Sequence, residues 1–379
     1  MRWEKPKTTG YMIRKVTDKS VYEGFSAPER VSGLAAQIRR EAAGEYLFME
    51  VCGGHTRAIR ANGLDKLLPP CITLLSGPGC PVCVTPAAYI DHAVSLSADP
   101  DVITATFGDL LRVPGSRTTL EKEKAAGGSI VVVYSVNEAV QLAIDSPDKR
   151  VVFLATGFET TAPGSAAGLA EAVRLGAGNF YLLSAHKVMP PAMKAVVEGG
   201  TRVTGFICPG HVSTITGSGI YEFLPRDYGV GCVISGFEPA DILLSVLMLV
   251  RQVNLGEPRV EIQYGRAVRP EGNPKALSLM KRVFRESDEW WRGFGVITGS
   301  GLQPGGEFEK YDARFVFPAF ADDSDETGDC ICGAILRGMN SPPDCPLFGS
   351  VCTPASPAGA CMVSAEGACN VNYKYSNHA

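Results

Sequence analysis

A chain of 379 residues with a formal net charge of −4 and no block of consecutive lysines and arginines lacks the footprint of a nucleic-acid binder. Its 45% hydrophobic and 20% charged content is that of a globular protein, and its length corresponds to about two or three domains. Met1–Ser20 is mixed and charged, unlike a secretory signal, and the longest apolar run, Ile242–Val250, is too short to cross a bilayer. A cytoplasmic protein without a membrane partner is expected.

Residues 1–45 read as a mainly helical segment, expected to pack on the C-terminal region. From 46 to 250 one unit recurs: a short β-branched or apolar run, a Gly-rich turn, then a helical pattern. The runs are Tyr46–Val51, Ile72–Leu75, Val102–Thr106, Ile130–Tyr134, Val151–Ala155, Phe180–Leu183, Val203–Ile207 and Gly231–Ile234. Such continuous apolar character belongs to strands buried on both faces, and alternation with helices implies parallel sheets. Thr85-Pro86 and Glu238-Pro239 read as helix starts. The stretches Phe48–Thr56 and Phe153–Thr160 both run strand, Gly turn, polar residue, Thr. They suggest two similar halves, 46–145 and 146–250, divided at Ser146-Pro147-Asp148-Lys149. A closed (β/α)₈ barrel is the alternative. In either architecture the functional loops lie at the strand carboxyl ends. Residues 251–379 change character: a charged helical stretch around Leu277–Trp291, Gly/Pro loops, an acidic run Asp322–Glu326, then a cysteine-rich tail.

The chain holds 12 cysteines, more than packing needs. In a reducing compartment such clusters indicate metal or redox chemistry rather than structural disulfides. Near the front, Cys80-Pro-Val-Cys83 precedes a helix expected to begin at Pro86. The positive end of that helix would favour thiolates, and the flanking prolines and glycine would hold the sulfurs near the surface. Cys52-Gly-Gly-His55-Thr56 occupies the corresponding place after the first strand. If neighbouring strands carry the two loops, three sulfurs and an imidazole converge. A closed Cys₃His zinc site, a thioredoxin-like dithiol and an open iron site all fit. Cys71, Cys208 and Cys232 lie in or beside apolar runs and read as buried packing residues.

In the tail, Cys330, Cys332, Cys345, Cys352, Cys361 and Cys369 fall within the last fifty or so residues. A four-iron cluster needs four thiolates, leaving two. A spare pair beside a cluster suits a redox-active disulfide. Structural zinc is the alternative, although paired C-x-x-C knuckles are absent. Thr106-Phe-Gly-Asp109 with Arg112 forms either an internal ion pair or part of a cleft. Thr156-Gly-Phe-Glu159 and Cys208-Pro-Gly-His211 resemble ligand-binding loops without a phosphate fingerprint. His186 reads as structural, and His92 and His378 carry no signal.

Taken together, Cys52-Gly-Gly-His55-Thr56, Gly77-Pro-Gly-Cys80-Pro-Val-Cys83, Thr106-Phe-Gly-Asp109, Gly157-Phe-Glu159-Thr160-Thr161-Ala-Pro163, Cys208-Pro-Gly-His211 and the six-cysteine tail resemble the HypD family of [NiFe]-hydrogenase maturation proteins over essentially the whole chain. The resemblance implies an α/β fold of two similar parallel-sheet domains plus a C-terminal iron–sulfur cluster domain at 251–379. It implies an assembly scaffold for the Fe(CN)₂CO group, working with a HypC-type small chaperone and a HypE-type cyanide donor, and serving the hydrogenase large subunit indirectly. Mononuclear iron would be held at the front cysteines Cys52, Cys80 and Cys83, with His55 tuning the sulfur. By analogy with ferredoxin:thioredoxin reductase, Cys330, Cys345, Cys352 and Cys369 would hold a [4Fe-4S] cluster, and Cys332 with Cys361 would form the redox pair. A stand-alone iron–sulfur disulfide reductase is the competing reading, and a barrel enzyme with structural zinc a third.

Overall fold

The structure, a computed structural model, describes residues 24–318 and 329–375. Residues 1–23 of the N-terminal segment, the acidic run Asp322–Glu326 and His378 therefore lie outside the described residues.

The strands are β1 (Tyr46–Glu50), β2 (Ile72–Ser76), β3 (Val102–Thr106), β4 (Ile130–Val132), β5 (Arg150–Gly157), β6 (Phe180–Lys187), β7 (Gly205–Pro209), β8 (Gly231–Ser235), β9 (Val260–Ile262), β10 (Phe284–Trp291) and β11 (Gly295–Pro304). Every run expected between 46 and 250 forms a strand. They build two open sheets rather than a barrel. The first has the order β2-β1-β7-β8-β9 and is parallel throughout. The second has the order β10-β11-β6-β5-β3-β4. It is parallel from β4 to β6, with an antiparallel β10–β11 hairpin on its edge.

The sheets are not drawn from contiguous halves of the chain. β1 and β2 pair with β7–β9, whereas β3 and β4 join β5 and β6. The turn at Ser146–Lys149 thus lies inside one sheet's connectivity, between helix Val136–Asp145 and β5, and separates nothing. Local pattern identifies strands, but pairing is decided by long-range burial that the pattern does not encode.

The alternation of strand side chains explains how the layers hold together. Tyr46 and Phe48 of β1 enter an outer core with Ile207, Val233 and helix Pro239–Leu255, while Met49 and Val51 face a central core. In β5, Val151 and Phe153 face a second outer core, and Val152 and Leu154 face the central one. The central core joins both sheets to the cysteine tail. The N-terminal helix Pro28–Glu41 was expected on the C-terminal region. Its buried Ala35 and Ile38 enter the first sheet's outer core, and Glu41 pairs with Arg251, the first residue of the 251–379 region, at 2.7 Å.

A second correction concerns Leu277–Trp291. The helix there, Pro274–Val283, is capped by the Asn273 side chain and ends where β10 begins. β10 is an edge strand whose middle is largely exposed, so its charges mimic a solvated helix face. Its partner β11 is rich in glycine and evades an apolar pattern. The turn between them needs φ of +80° at Gly293 and +74° at Gly295, which glycine adopts without strain.

Phe153 is fully buried at the centre of the second sheet, edge-on to Phe107 at 5.3 Å. Phe153→Ala should lower unfolding stability by about 3–5 kcal/mol in a urea titration. A loss under about 1 kcal/mol would contradict this placement.

Candidate thiol and cluster site

In an open α/β sheet, ligands bind where the strand order reverses. The first sheet reverses between β1 and β7, the second between β3 and β5. At their carboxyl ends lie Cys52, the Cys208–His211 turn, the Thr106–Asp109 turn and the Gly157–Glu159 turn, which are the motifs singled out in the sequence.

Cys52 is half-buried and caps helix Gly53–Ala61. Its N–H donates to Glu50 Oε2 at 3.0 Å, and Thr56 Oγ1 donates to Glu50 Oε1. Burial raises the Glu50 carboxyl to about 8. Burial, then the Glu50 charge, pushes the Cys52 thiol up to about 12. The adjacent loop is interlocked with it. Gly77 N donates to Glu50 O at 2.8 Å and Gly53 N to Gly79 O at 3.0 Å. A Cβ on Gly79 would lie 2.1 Å from Cys52 N, so only glycine fits.

That loop delivers Cys80 and Cys83, whose sulfurs are 2.6 Å apart. Both are buried rather than near the surface, and helix Ala87–Ser97 starts past them with Pro86 as its N-cap. Burial dominates over any helix-end effect: it raises the Cys83 thiol well above its ordinary range. Cys361 of the tail is a near enough neighbour to perturb the Cys83 thiol. Cys361 in turn lies 2.7 Å from Cys332, sulfur to sulfur. The front dithiol and the tail pair are therefore neighbours within one buried core.

The remaining tail cysteines surround one small cavity. All six tail cysteines line it, with Ile335, Phe348, Gly359 and Met362. The Ala358 N–H points at Cys352 Sγ at 3.3 Å. A four-iron cluster needs four thiolates spread around a volume, in apolar surroundings with backbone N–H donors to sulfur, and the donor set and lining fit that requirement. The tail is anchored to both sheets: Thr201 Oγ1 donates to Arg337 O at 2.7 Å, and Arg112 Nη2 to Pro354 O at 2.7 Å.

Other expected residues are placed as follows. The His55 ring is buried, held by a 3.0 Å contact of Nε2 with Gly236 O. Among the described residues, no three of His, Cys, Asp and Glu are arranged to hold a single metal ion, so a closed Cys₃His zinc site is not preformed. Arg112 faces Glu121 at 3.9 Å rather than pairing with Asp109. Asp109 and Arg112 both line an open cleft of about 510 Å³ with Cys80 and Glu366, and burial raises the Asp109 carboxyl. Cys208 and Cys232 are buried, Cys71 half-buried, and His186 is held by Ser165 Oγ at 2.7 Å. Sequence reasoning passed over Glu50 and Glu366. Glu50, a lone charge in the apolar run Tyr46–Val51, was a readable signal. Glu366, packed on Gly53, had none.

A protein-family model described as "HypD: Hydrogenase formation hypA family" matches residues 29–376. The chain belongs to the HypD family. It is 46% identical over 362 residues to hydrogenase maturation factor HypD2 of Bradyrhizobium diazoefficiens, covering 93% of this chain and 95% of that one. Hydrogenase maturation factor HypD of Azotobacter vinelandii is 48% identical over 353 residues, covering 90% and 93%. The Rhodobacter capsulatus HypD is 42% identical over 364 residues, covering 94% and 96%. Among the described residues, no helix of this HypD-family chain is long and apolar enough to cross a membrane.

At the second switch point Glu159 is buried. Its Oε1 accepts from Met189 N at 2.9 Å, and its Oε2 has no partner among the described residues. Burial raises its carboxyl from 4.5 to about 7. The folded state thus holds this proton more tightly than the unfolded chain. Its contribution is fully present below pH of about 4.5 and is lost as pH rises through about 7. Glu159→Gln should remove a fall in stability on the order of 3 kcal/mol across that window, measured by urea unfolding at pH values on either side. An unchanged pH slope in the variant would contradict the assignment.

Proposed function

We propose that this chain is the assembly scaffold on which the Fe(CN)₂CO group of [NiFe]-hydrogenase is built, a redox-active scaffold rather than a conventional turnover enzyme. The cargo iron is held through Cys52 together with a thiolate from a HypC-type chaperone. Cyanide arrives from a HypE-type donor, and the finished group passes on toward the hydrogenase large subunit. All of this takes place in the cytoplasm. Low-spin iron with such ligands calls for soft, electron-rich thiolates. The half-buried Cys52 at a switch point supplies one and leaves the other to a partner, so the cargo remains transferable. Coordination also answers an electrostatic problem, because a thiol pushed up to about 12 ionises at neutral pH only against a cation.

The observation that carries the reading is that two close sulfur pairs, Cys80–Cys83 at 2.6 Å and Cys332–Cys361 at 2.7 Å, are neighbours in one buried core. It supports electron delivery by thiol–disulfide exchange. With Cys80–Cys83 oxidised, Cys361 as thiolate attacks Cys83 sulfur, and Cys80 leaves as a thiolate that takes up the proton Cys361 lost. Cys332 then attacks Cys361 sulfur and frees Cys83. The net result is a Cys80/Cys83 dithiol and a Cys332–Cys361 disulfide, with two electrons moved and protons conserved. In this reading Cys330, Cys345, Cys352 and Cys369 hold a [4Fe-4S] cluster. When bound, it supplies one-electron redox capacity beside the tail pair.

Chain co-purified anaerobically with its small chaperone should carry infrared bands of iron-bound cyanide and carbonyl. Cys52→Ala should abolish them while keeping the tail's iron and sulfide. Retention of the bands in Cys52→Ala would refute the ligand assignment. Dithiol turnover in a Cys52→Ala protein, with no bands in the wild type, would favour the stand-alone reductase.

A further inference from the structure

Phe237 follows β8, beside the first switch point, and no motif announces it. Its ring lies between two imidazoles. The His55 centroid is 4.6 Å away with the planes 22° apart, and the His211 centroid is 4.1 Å away at 23°. Tyr264 meets Phe237 edge-on at 6.0 Å and 89°. Two glycines give the ring its room: a Cβ on Gly54 would fall 3.0 Å from Phe237 Cε1, and one on Gly210 would fall 3.2 Å from Cε2. The same Gly54 Cβ would lie 3.6 Å from Cys52 Sγ, so the ring is separated from that sulfur by one glycine. The stack runs from buried His55 through half-buried Phe237 to exposed His211.

The nitrogen contacts define what the stack achieves. His55 Nε2 faces the Gly236 carbonyl at 3.0 Å, and a carbonyl only accepts, so Nε2 carries the hydrogen. In a neutral ring Nδ1 is then an acceptor. It is buried and has no hydrogen-bond partner among the described residues. Leaving such an atom unpartnered costs stability, which marks it as reserved for a donor absent from the free chain.

We propose that Phe237 is a positioning residue: stacked between His55 and His211, it fixes both ring planes and the His55 tautomer, so that His55 Nδ1 accepts a hydrogen bond from an N–H or S–H donor of the group or partner docked at Cys52. The final clause rests on the scaffold reading above; the stacking and tautomer claims do not. The two flat faces of Phe237 exclude rotation of either imidazole, which an aliphatic side chain of similar volume would permit.

The test uses the full-length chain with ¹⁵N-labelled histidine, whose five imidazoles are few enough to resolve. Long-range ¹H–¹⁵N correlations read each tautomer directly. The wild type should show His55 as a single Nε2–H tautomer. Phe237→Leu should convert it to an exchanging pair of tautomers and remove the ring-current shifts of His55 and His211. Phe237→Tyr, which keeps the ring, should restore the single tautomer. Iron and sulfide content and the urea midpoint report on folding. Mixed His55 tautomers in the wild type would overturn the proposal, which keeps it testable even if Phe237→Leu fails to fold. A folded Phe237→Leu with the wild-type tautomer would overturn it as well. Should the wild type prove unable to bind iron at Cys52, the scaffold reading fails while the tautomer result stands.

Discussion

The nearness of Cys83 to Cys361 within one buried core is the constraint on which the arrangement depends. One sulfur comes from the loop after β2 and the other from the tail, about 280 residues apart by their own numbering. For them to be neighbours the loop after β2 and the tail must share one core, and that core also includes residues of the second sheet. The close approach of Gly79 to the Cys52 backbone then fixes where the front loop sits. Two distinct groups, the four cysteines of the two close pairs and a separate half-buried thiol, are thereby held at one end of two sheets.

Burial sets the electrostatic character of the site. Cys52, Cys83, Glu50 and Asp109 are all shifted toward their neutral forms by desolvation. An isolated nucleophilic thiolate is therefore disfavoured, and reactivity must come from proximity or from a bound cation. This distinguishes the site from a dithiol activated by a helix N-terminus, which the spacing before Pro86 had suggested. It also sets the half-buried Cys52 apart from the fully buried Cys83, because at Cys52 an external group can supply the compensating charge.

Much of this was legible in the sequence. The parallel strands declared themselves because strands covered on both faces need continuous apolar runs, as in Val151–Ala155. The motifs landed at carboxyl ends because that is where an open α/β sheet presents its loops. What remained hidden was non-local. Nothing in Val102–Thr106 says that it pairs with β5 rather than β1. The exposed, charged β10 and glycine-rich β11 follow neither apolar pattern. Within the site, every cysteine of the two close pairs was identifiable, but the nearness of one pair to the other was not. Glu50 could have been flagged as a charge inside a buried strand. Phe237 and Glu366 could not, because their roles depend on glycines, Gly54 and Gly53, that make room for them.

The most direct measurement is to trap the junction itself. A Cys80→Ser, Cys332→Ser double variant leaves Cys83 and Cys361 each without its usual partner. Mild anaerobic oxidation followed by non-reducing peptide mapping should then yield a Cys83–Cys361 cross-link as the dominant disulfide. If Cys83 and Cys361 stay unlinked while the protein remains folded, the two thiol pairs are not in communication and the account of electron delivery to the front site is wrong.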